Sequence, residues 1–259
     1  RFKGDQWSGI NLYSYPQLDS LLDFISVAGD KVSGNVYAGS FAGGLLEIKK
    51  DNSFSIYKQL TALQSAIGDH GSYLVSGLAT DTEGNLWVSN YGAPQNLVVK
   101  KADGNWRRYT IPFFHTENAV ARIIIDDFND KWIMSPKGNG VFCFDDGGTL
   151  DNLSDDRWRY LRQGKGNGNL PSSEVYCLAK DLNGFIWIGT GKGIAVVQCV
   201  QDIFTSNACE AVLPVVQQDN FAGYLFADDE VRAIAVDGAN RKWVGTRNGV
   251  WLISADGQQ

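Results

Sequence analysis

The sequence predicts an all-β fold, a β-propeller of four-stranded antiparallel blades with about five repeats in the chain, and three observations predict it. The first is a recurring pair, an Asp six positions before a Trp: Asp81 and Trp87, Asp126 and Trp132, Asp181 and Trp187, Asp237 and Trp243. The second is the period. With Tyr37 in the Trp place of a fainter fifth copy, the anchors fall at 37, 87, 132, 187 and 243, a spacing near 50 residues, which is the length of a propeller blade. The third is the flanking pattern of strand-length apolar runs, each closed by a turn signal.

Taken in order, the copies define the strands. The first copy reads Asn35-Val-Tyr37-Ala-Gly-Ser40, then Gly44-Leu-Leu, then Phe54-Ser-Ile-Tyr57. The second has Gly77-Leu-Ala-Thr before Asp81, and Trp106-Arg-Arg-Tyr109 as its last strand. The third has Arg122-Ile-Ile-Ile, Gly140-Val-Phe and Trp158-Arg-Tyr160 around Trp132. In the fourth, Val175 to Lys180 alternates as a strand, Asp181-Leu-Asn-Gly184 makes the turn, and Phe185 to Gly189 and Ile194 to Val197 follow as strands. Here the Asp hydrogen-bonds backbone amides and the Gly takes a positive φ. The fifth has Ala233-Ile-Ala-Val, Trp243 and Gly249-Val-Trp. Four antiparallel strands cannot bury both faces alone, so the blades must stack. The repeated Trp is a large wedge for the gap between neighbouring sheets.

Composition supports one large β domain spanning 1–259, expected to be an excerpt of a longer protein. The chain has 29 Gly, 6 Pro and no long helical period. No stretch approaches a transmembrane span and no signal-peptide pattern opens the chain. Arg1 is not a natural start, so an upstream region is expected. The net charge of −6 argues against nucleic acid as a partner, because no basic field is present to hold phosphates. Trp7 to Tyr15 reads as a fourth strand without its first three, and Gly249 to Ser254 as a third strand without its fourth. Either the former closes the last blade, or the chain is an arc of a longer propeller.

The pattern Asp-x-x-Gly-Asn-x-Trp-x-Gly-Thr-x-x-Gly resembles the two-component regulator propeller repeat of Bacteroidota envelope proteins, most closely at Asp181 to Ile194 and Asp237 to Val250. The resemblance implies a periplasmic or cell-surface module that binds an oligosaccharide or an envelope protein in sensing. The run from Gln217 to Gly223, and that from Ala235 to Ser254, resemble PorZ-type propeller proteins, which implies a role in type IX secretion. Ser89-Asn90 and Met134-Ser135 depart from the Gly-Thr of the motif.

The four turn Asp residues are expected to build structure, since they sit at equivalent places on different blades, too far apart to share a ligand. The opposite rim carries loops of varied length and charge, where function is expected. The loops after the second strands bring Asn90, Tyr91, Lys137, Lys192, Arg247 and Asn248. Those between blades bring His70, His115, Glu117, Glu174, Asp228 and Glu230. Tyr91, Lys137, Lys192, Arg247, Asn248 and His115 are the candidate ligand-binding residues, suited to acidic or hydroxyl-rich groups, although exposed charge is also the default of any surface. No catalytic constellation, metal site or cofactor motif is present: there is no zinc-spaced Cys/His cluster, nucleophile elbow or phosphate loop. The expectation is a non-catalytic binding module, with a lyase or hydrolase on the same scaffold as the alternative. Cys199 and Cys209, within the longest insertion, read as a disulfide or as two free thiols. Cys143 and Cys177 read as buried small hydrophobes.

Overall fold

The computed structural model describes residues 2–255 apart from 4, 8, 12, 59–62, 206, 207, 219 and 220. A short hairpin of β1 (Phe2–Lys3) and β2 (Gln6–Trp7) leads into five successive antiparallel sheets. The first blade is β3 (Phe24–Gly29), β4 (Val36–Ser40), β5 (Gly44–Ile48) and β6 (Phe54–Tyr57). The second is β7 (Val75–Thr80), β8 (Leu86–Asn90), β9 (Leu97–Lys100) and β10 (Trp106–Tyr109). The third is β11 (Ile123–Ile125), β12 (Lys131–Ser135), β13 (Gly140–Asp145) and β14 (Arg157–Leu161). The fourth has three strands, β15 (Val175–Lys180), β16 (Ile186–Thr190) and β17 (Gly193–Val197). A hairpin of β18 (Val215–Gln218) and β19 (Phe221–Tyr224) precedes the fifth blade, β20 (Val231–Val236), β21 (Lys242–Thr246) and β22 (Gly249–Ile253). The first strands of successive blades pack in the order β3, β7, β11, β15, β20 and line a lumen. No comparable packing joins the fifth blade to the first among the described residues.

The repeated Asp does more than turn the chain. In the second blade, Asp81 Oδ1 accepts the backbone N–H of Glu83 and Asn85 at 3.0 and 2.8 Å, while Oδ2 accepts the Trp87 indole N–H at 3.1 Å. Asp126 does the same for Phe128, Asp130 and Trp132, and Asp181 for Asn183, Phe185 and Trp187. Asp237 repeats it with Ala239, Arg241 and Trp243. One carboxylate thus fixes the hairpin turn and satisfies the only polar atom of a buried indole. The six-residue spacing is what lets a single side chain reach both.

A cation from the following blade covers several of these anchors. Lys131, wholly buried, places Nζ 4.5 Å from the Trp87 ring centroid and 2.9 Å from Asp146 Oδ2. Lys242, also wholly buried, lies 4.6 Å from the Trp187 centroid, 3.1 Å from Asp181 Oδ2 and 2.9 Å from the Ala255 carbonyl oxygen. Both lysines immediately precede their own blade's Trp. In the first blade, Tyr37 donates to Glu47 at 3.1 Å, and Lys100 lies over Tyr37 and 3.9 Å from Glu47. The Gly two residues after the anchor leaves room for the next blade: a Cβ at Gly189 would sit 2.7 Å from the Val231 carbonyl oxygen.

Three departures from the sequence reading have physical causes. Trp87, Trp132 and Trp187 are buried, but Trp243 is 45% exposed. No described blade covers that side of the fifth sheet, and Val250, Trp251 and Leu252 are exposed with it. Trp7 to Tyr15 is not a fourth strand; Ser8 and Leu12 lie outside the described residues. Among the described residues of that stretch only Gln6–Trp7 is extended, paired with Phe2–Lys3, while Pro16 opens a 3₁₀ turn that packs Leu18 and Leu21 on Leu46. Among the described residues the fourth blade has no outer strand, and those of 198–213 take its place as a loop. Cys199 and Cys209 are joined by a disulfide, Val212 bridges Val196, and Ile203, Cys209 and Ala211 enter the core shared by blades three and four. Glu210 buckles the loop down by accepting the N–H groups of Gly166 and Gly168 at 2.5 and 3.1 Å.

Replacing Asp181 with Ala strips the indole, the turn and the buried Lys242 of one acceptor. The expected cost is about 3–5 kcal/mol in urea unfolding, and a loss below ~1 kcal/mol contradicts the role. Adding Lys242→Met to that variant should recover part of the loss, since the unpaired cation is then gone.

Asp130 stands where the second blade has Asn85, which donates to Asp81 Oδ2 at 2.9 Å. Burial, with repulsion from Asp126 and Asp145, pushes its carboxyl up from 3.8 to about 7. The folded state therefore keeps a proton that the unfolded chain loses near pH 4, and stability falls as pH rises from about 4 to about 7. Asp130→Asn should flatten that fall and raise stability at neutral pH by about 2 kcal/mol. Melting curves across this range decide it; an unchanged slope refutes the assignment.

Converting Cys199 and Cys209 together to Ser should lower stability by at most about 3 kcal/mol, read by thermal melting, with thiol counting by mass spectrometry on the parent protein.

Candidate functional site

The loop rim is built from the ends of the second strands. Thr190 Oγ1 accepts the Lys192 N–H at 3.1 Å and donates to the Gly193 carbonyl at 3.0 Å; Thr246 Oγ1 likewise accepts from Asn248 at 3.1 Å. The hydroxyl closes a tight turn, and Gly193 follows with φ +88°. This is why the motif reads Gly-Thr-x-x-Gly, and why Lys192 and Asn248 occupy matching places on adjacent blades.

The six predicted residues separate into two groups. Tyr91, His115 and Lys137 gather where the first three blades meet. A cleft of about 440 Å³ is lined there by Ile67, Tyr91, Gly92, Phe114, His115 and Glu117, among others. Lys137 forms an ion pair with Glu117, which holds its ammonium above the ordinary lysine range, with burial opposing and Tyr91 adding to the effect. Tyr91 also packs edge-on against Phe41, with ring centroids 5.4 Å apart. Phe114 is 91% exposed. Glu117, Asn118 and Lys137 all hold left-handed φ, at 57°, 47° and 64°. Such conformations cost free energy for residues with a Cβ and persist where the surroundings impose them, often at binding sites.

His115 lies at the floor of the cleft. It is buried, its Nδ1 donates to the Phe113 carbonyl at 2.7 Å, and its Nε2 accepts from the Asn96 amide at 2.6 Å. With both ring nitrogens occupied and the ring edge-on to Phe142, it braces the 113–118 loop from beneath. The same loop places Phe114 and Glu117 in the cleft. The sequence singles out the histidine and not the neighbouring phenylalanine, whose exposure only the packed loop reveals.

Lys192, Arg247 and Asn248 lie on blades four and five. Arg247 Nη2 is 3.6 Å from Glu230 Oε1, and Glu230 Oε2 accepts from Arg232 Nε and Nη2 at 3.0 and 2.6 Å. The Arg232 guanidinium lies 5.0 Å from the Tyr176 ring centroid, and Asn248 bonds Asp229. Tyr176 and Arg232 sit at β-bulges, where the first strand carries an extra residue opposite the second. The first and second blades have the same irregularity, at Ile25 and Ser76. Bulges re-aim side chains at the ends of strands, and register of this kind is not visible in a sequence.

Among the described residues, no three His, Cys, Asp or Glu side chains are placed to hold a metal ion. Cys143 and Cys177 are buried free thiols; burial raises both, Cys177 to about 12, so neither supplies a thiolate near neutral pH. No helix of the described residues is long and apolar enough to cross a membrane.

Residues 169–192 match the family model of the two component regulator propeller. No curated protein sequence matches the chain. Among solved structures it is similar to PorZ, an essential bacterial surface component of the type-IX secretion system of Porphyromonas gingivalis. The two share 26% identity and a TM-score of 0.79 over 92% of this chain and 34% of PorZ, so the chain spans about a third of that protein's length. The extracellular domain of the putative hybrid two component system BT4673 from B. thetaiotaomicron shares the fold, at 15% identity and a TM-score of 0.60 over 89% of this chain and 27% of that one. Virginiamycin B lyase from Staphylococcus aureus shares it too, at 13% identity and a TM-score of 0.62 over 91% and 68%. The chain is a β-propeller in which residues 169–192 match the two component regulator propeller, and its fold is similar to that of PorZ.

Proposed function

We propose that the chain is a non-catalytic binding module that works outside the cytoplasm, at the periplasm or cell surface, in a secretion or sensing protein of the cell envelope. Its occupant is an oligosaccharide, or a glycan-bearing envelope partner, held on the loop rim. One observation carries this reading: the cleft where the first three blades meet. An exposed aromatic face, Phe114, stands beside a hydroxyl, Tyr91, and a fixed cation–carboxylate pair, Lys137 and Glu117. Sugars offer an apolar face for stacking and a rim of hydroxyls for charge-assisted hydrogen bonds. The disulfide supports an oxidising compartment, as do the surface and extracellular settings of PorZ and BT4673. The size of the chain relative to PorZ makes any secretion role that of a larger protein.

A lyase or hydrolase on this scaffold draws less support. Only two histidines exist, and His115 has both nitrogens engaged within the protein. No activated nucleophile with a base within reach stands in the cleft among the described residues.

A glycan array followed by calorimetry on the best binder tests the proposal. Phe114→Ala combined with Lys137→Ala should weaken binding at least tenfold while the melting temperature barely moves, because exposed pairs add little stability. Lys192→Ala with Arg247→Ala should weaken it less, unless the ligand spans the rim. Undiminished binding in the first pair, or turnover of the glycan, refutes the reading.

A further inference from the structure

The rim cleft is lined by a carboxylate, Glu117, and among the described residues by no lysine or arginine. His115 offers it no N–H, since Nδ1 donates to the Phe113 carbonyl and Nε2 accepts from the Asn96 amide. The cation at its edge, Lys137, is already held by Glu117.

This pair is set by the backbone beneath it. The buried Asn139 clasps two loops together: its Oδ1 accepts the Thr116 N–H at 3.1 Å, and its Nδ2 donates to the Pro136 carbonyl at 2.6 Å. Thr116 precedes Glu117 and Pro136 precedes Lys137, so the clasp brings one ionised side chain opposite the other. The far side of the first loop is tied down where the Asn118 carbonyl accepts the Gly92 N–H at 3.1 Å and the Asn96 amide at 3.2 Å. Glu117 and Lys137 hold left-handed φ, at 57° and 64°, which costs free energy for residues with a Cβ. An ordinary surface ion pair between two long side chains needs neither clasp nor strain.

Hydrogen-bond capacity then separates two kinds of sugar. A hydroxyl both donates and accepts, so it can donate to Glu117 and accept from Lys137 while the pair stays closed. A carboxylate or sulfate only accepts. It must lie against Glu117, like charge to like charge, or pull Lys137 away from it. Ile67 and Phe114, both exposed, add apolar surface for the sugar ring.

We propose, taking this cleft as the glycan site, that it selects neutral sugars over acidic ones, and that Glu117 sets the choice. Its carboxylate takes up the cation that a uronate or a sulfated sugar would need.

Two matched pairs of oligosaccharides are the probes: cellopentaose with its C6-oxidised acid, and methyl-esterified tetragalacturonate with the free acid. Calorimetry is run at about 0.15 M salt, which screens the net charge of −6. The neutral member of at least one pair should bind saturably, and its acid about tenfold more weakly or worse. Glu117→Gln should tighten the acid about fivefold or more, by freeing Lys137, and shift the neutral sugar by no more than about twofold. Glu117→Gly suits the left-handed backbone, so it keeps the loop folded while removing the carboxylate, and should admit the acid likewise. Adding Lys137→Met to Glu117→Gln should abolish the gain, which isolates the pair from the rest of the cleft. An acid that binds the parent protein as tightly as its neutral partner overturns the selection. So does a natively melting Glu117→Gln that keeps the neutral sugar without gaining the acid. If no probe binds the parent or either variant, the cleft is not a glycan site, and the selection falls with that reading.

Discussion

Blades two to five each hang on one carboxylate shared between a turn and an indole. The Asp of the first hairpin holds two backbone amides with one oxygen and the Trp N–H with the other, so the turn and the wedge of the blade are set together. A buried indole without an acceptor would cost free energy, and so would a buried lysine without a counterion. The two needs are met jointly where Lys242 reaches Asp181 across the blade boundary. Blade spacing is then fixed by a contact with direction, the ammonium over the indole face, and not by apolar packing alone. The first blade reaches the same end with different residues: Tyr37, Glu47 and Lys100 stand in for Trp, Asp and Lys.

That rigidity explains the division between the two rims. On the Asp face the turns are short and alike, because each must present a carboxylate to its own Trp. On the other face the loops carry no such duty and have diverged. Strained backbone at Glu117, Asn118 and Lys137 is tolerated there because the strands beneath, and the buried His115 between Asn96 and Phe113, over-determine the loop. Function on this scaffold is therefore read from the loops, not from the repeated residues.

Blade four shows how far the scheme bends. Its outer strand gives way to a disulfide-closed loop that still fills the same place, with Val212 against Val196 and Cys209, Ala211 and Ile203 in the core. Burial of apolar area is retained though the hydrogen-bonded strand is not. The fifth blade shows the opposite case: its sheet is regular, but Trp243 stays half exposed because burial of an inter-blade residue is decided by the neighbour.

The blade itself is legible in the chain before any folding is considered. The six-residue spacing of Asp and Trp, the closing Thr and Gly and the alternating runs are local, so period and composition show them directly. The gathering of the variable loops on one rim is legible too, because strand order alone fixes which connections share a face. Sequence could not show that Lys131 and Lys242 would be buried over the preceding blade's indole, that His115 would turn inward while Phe114 turned out, or that Tyr176 and Arg232 would sit at bulges with one stacked on the other. Nor could it divide the six candidate residues into a cleft where the first three blades meet and an ion-pair cluster on blades four and five. Those outcomes depend on contacts between residues some 50 positions apart. Which side chain faces solvent, cation or carboxylate there is set by how neighbouring sheets stack and shift in register, and that is settled only when the blades come together.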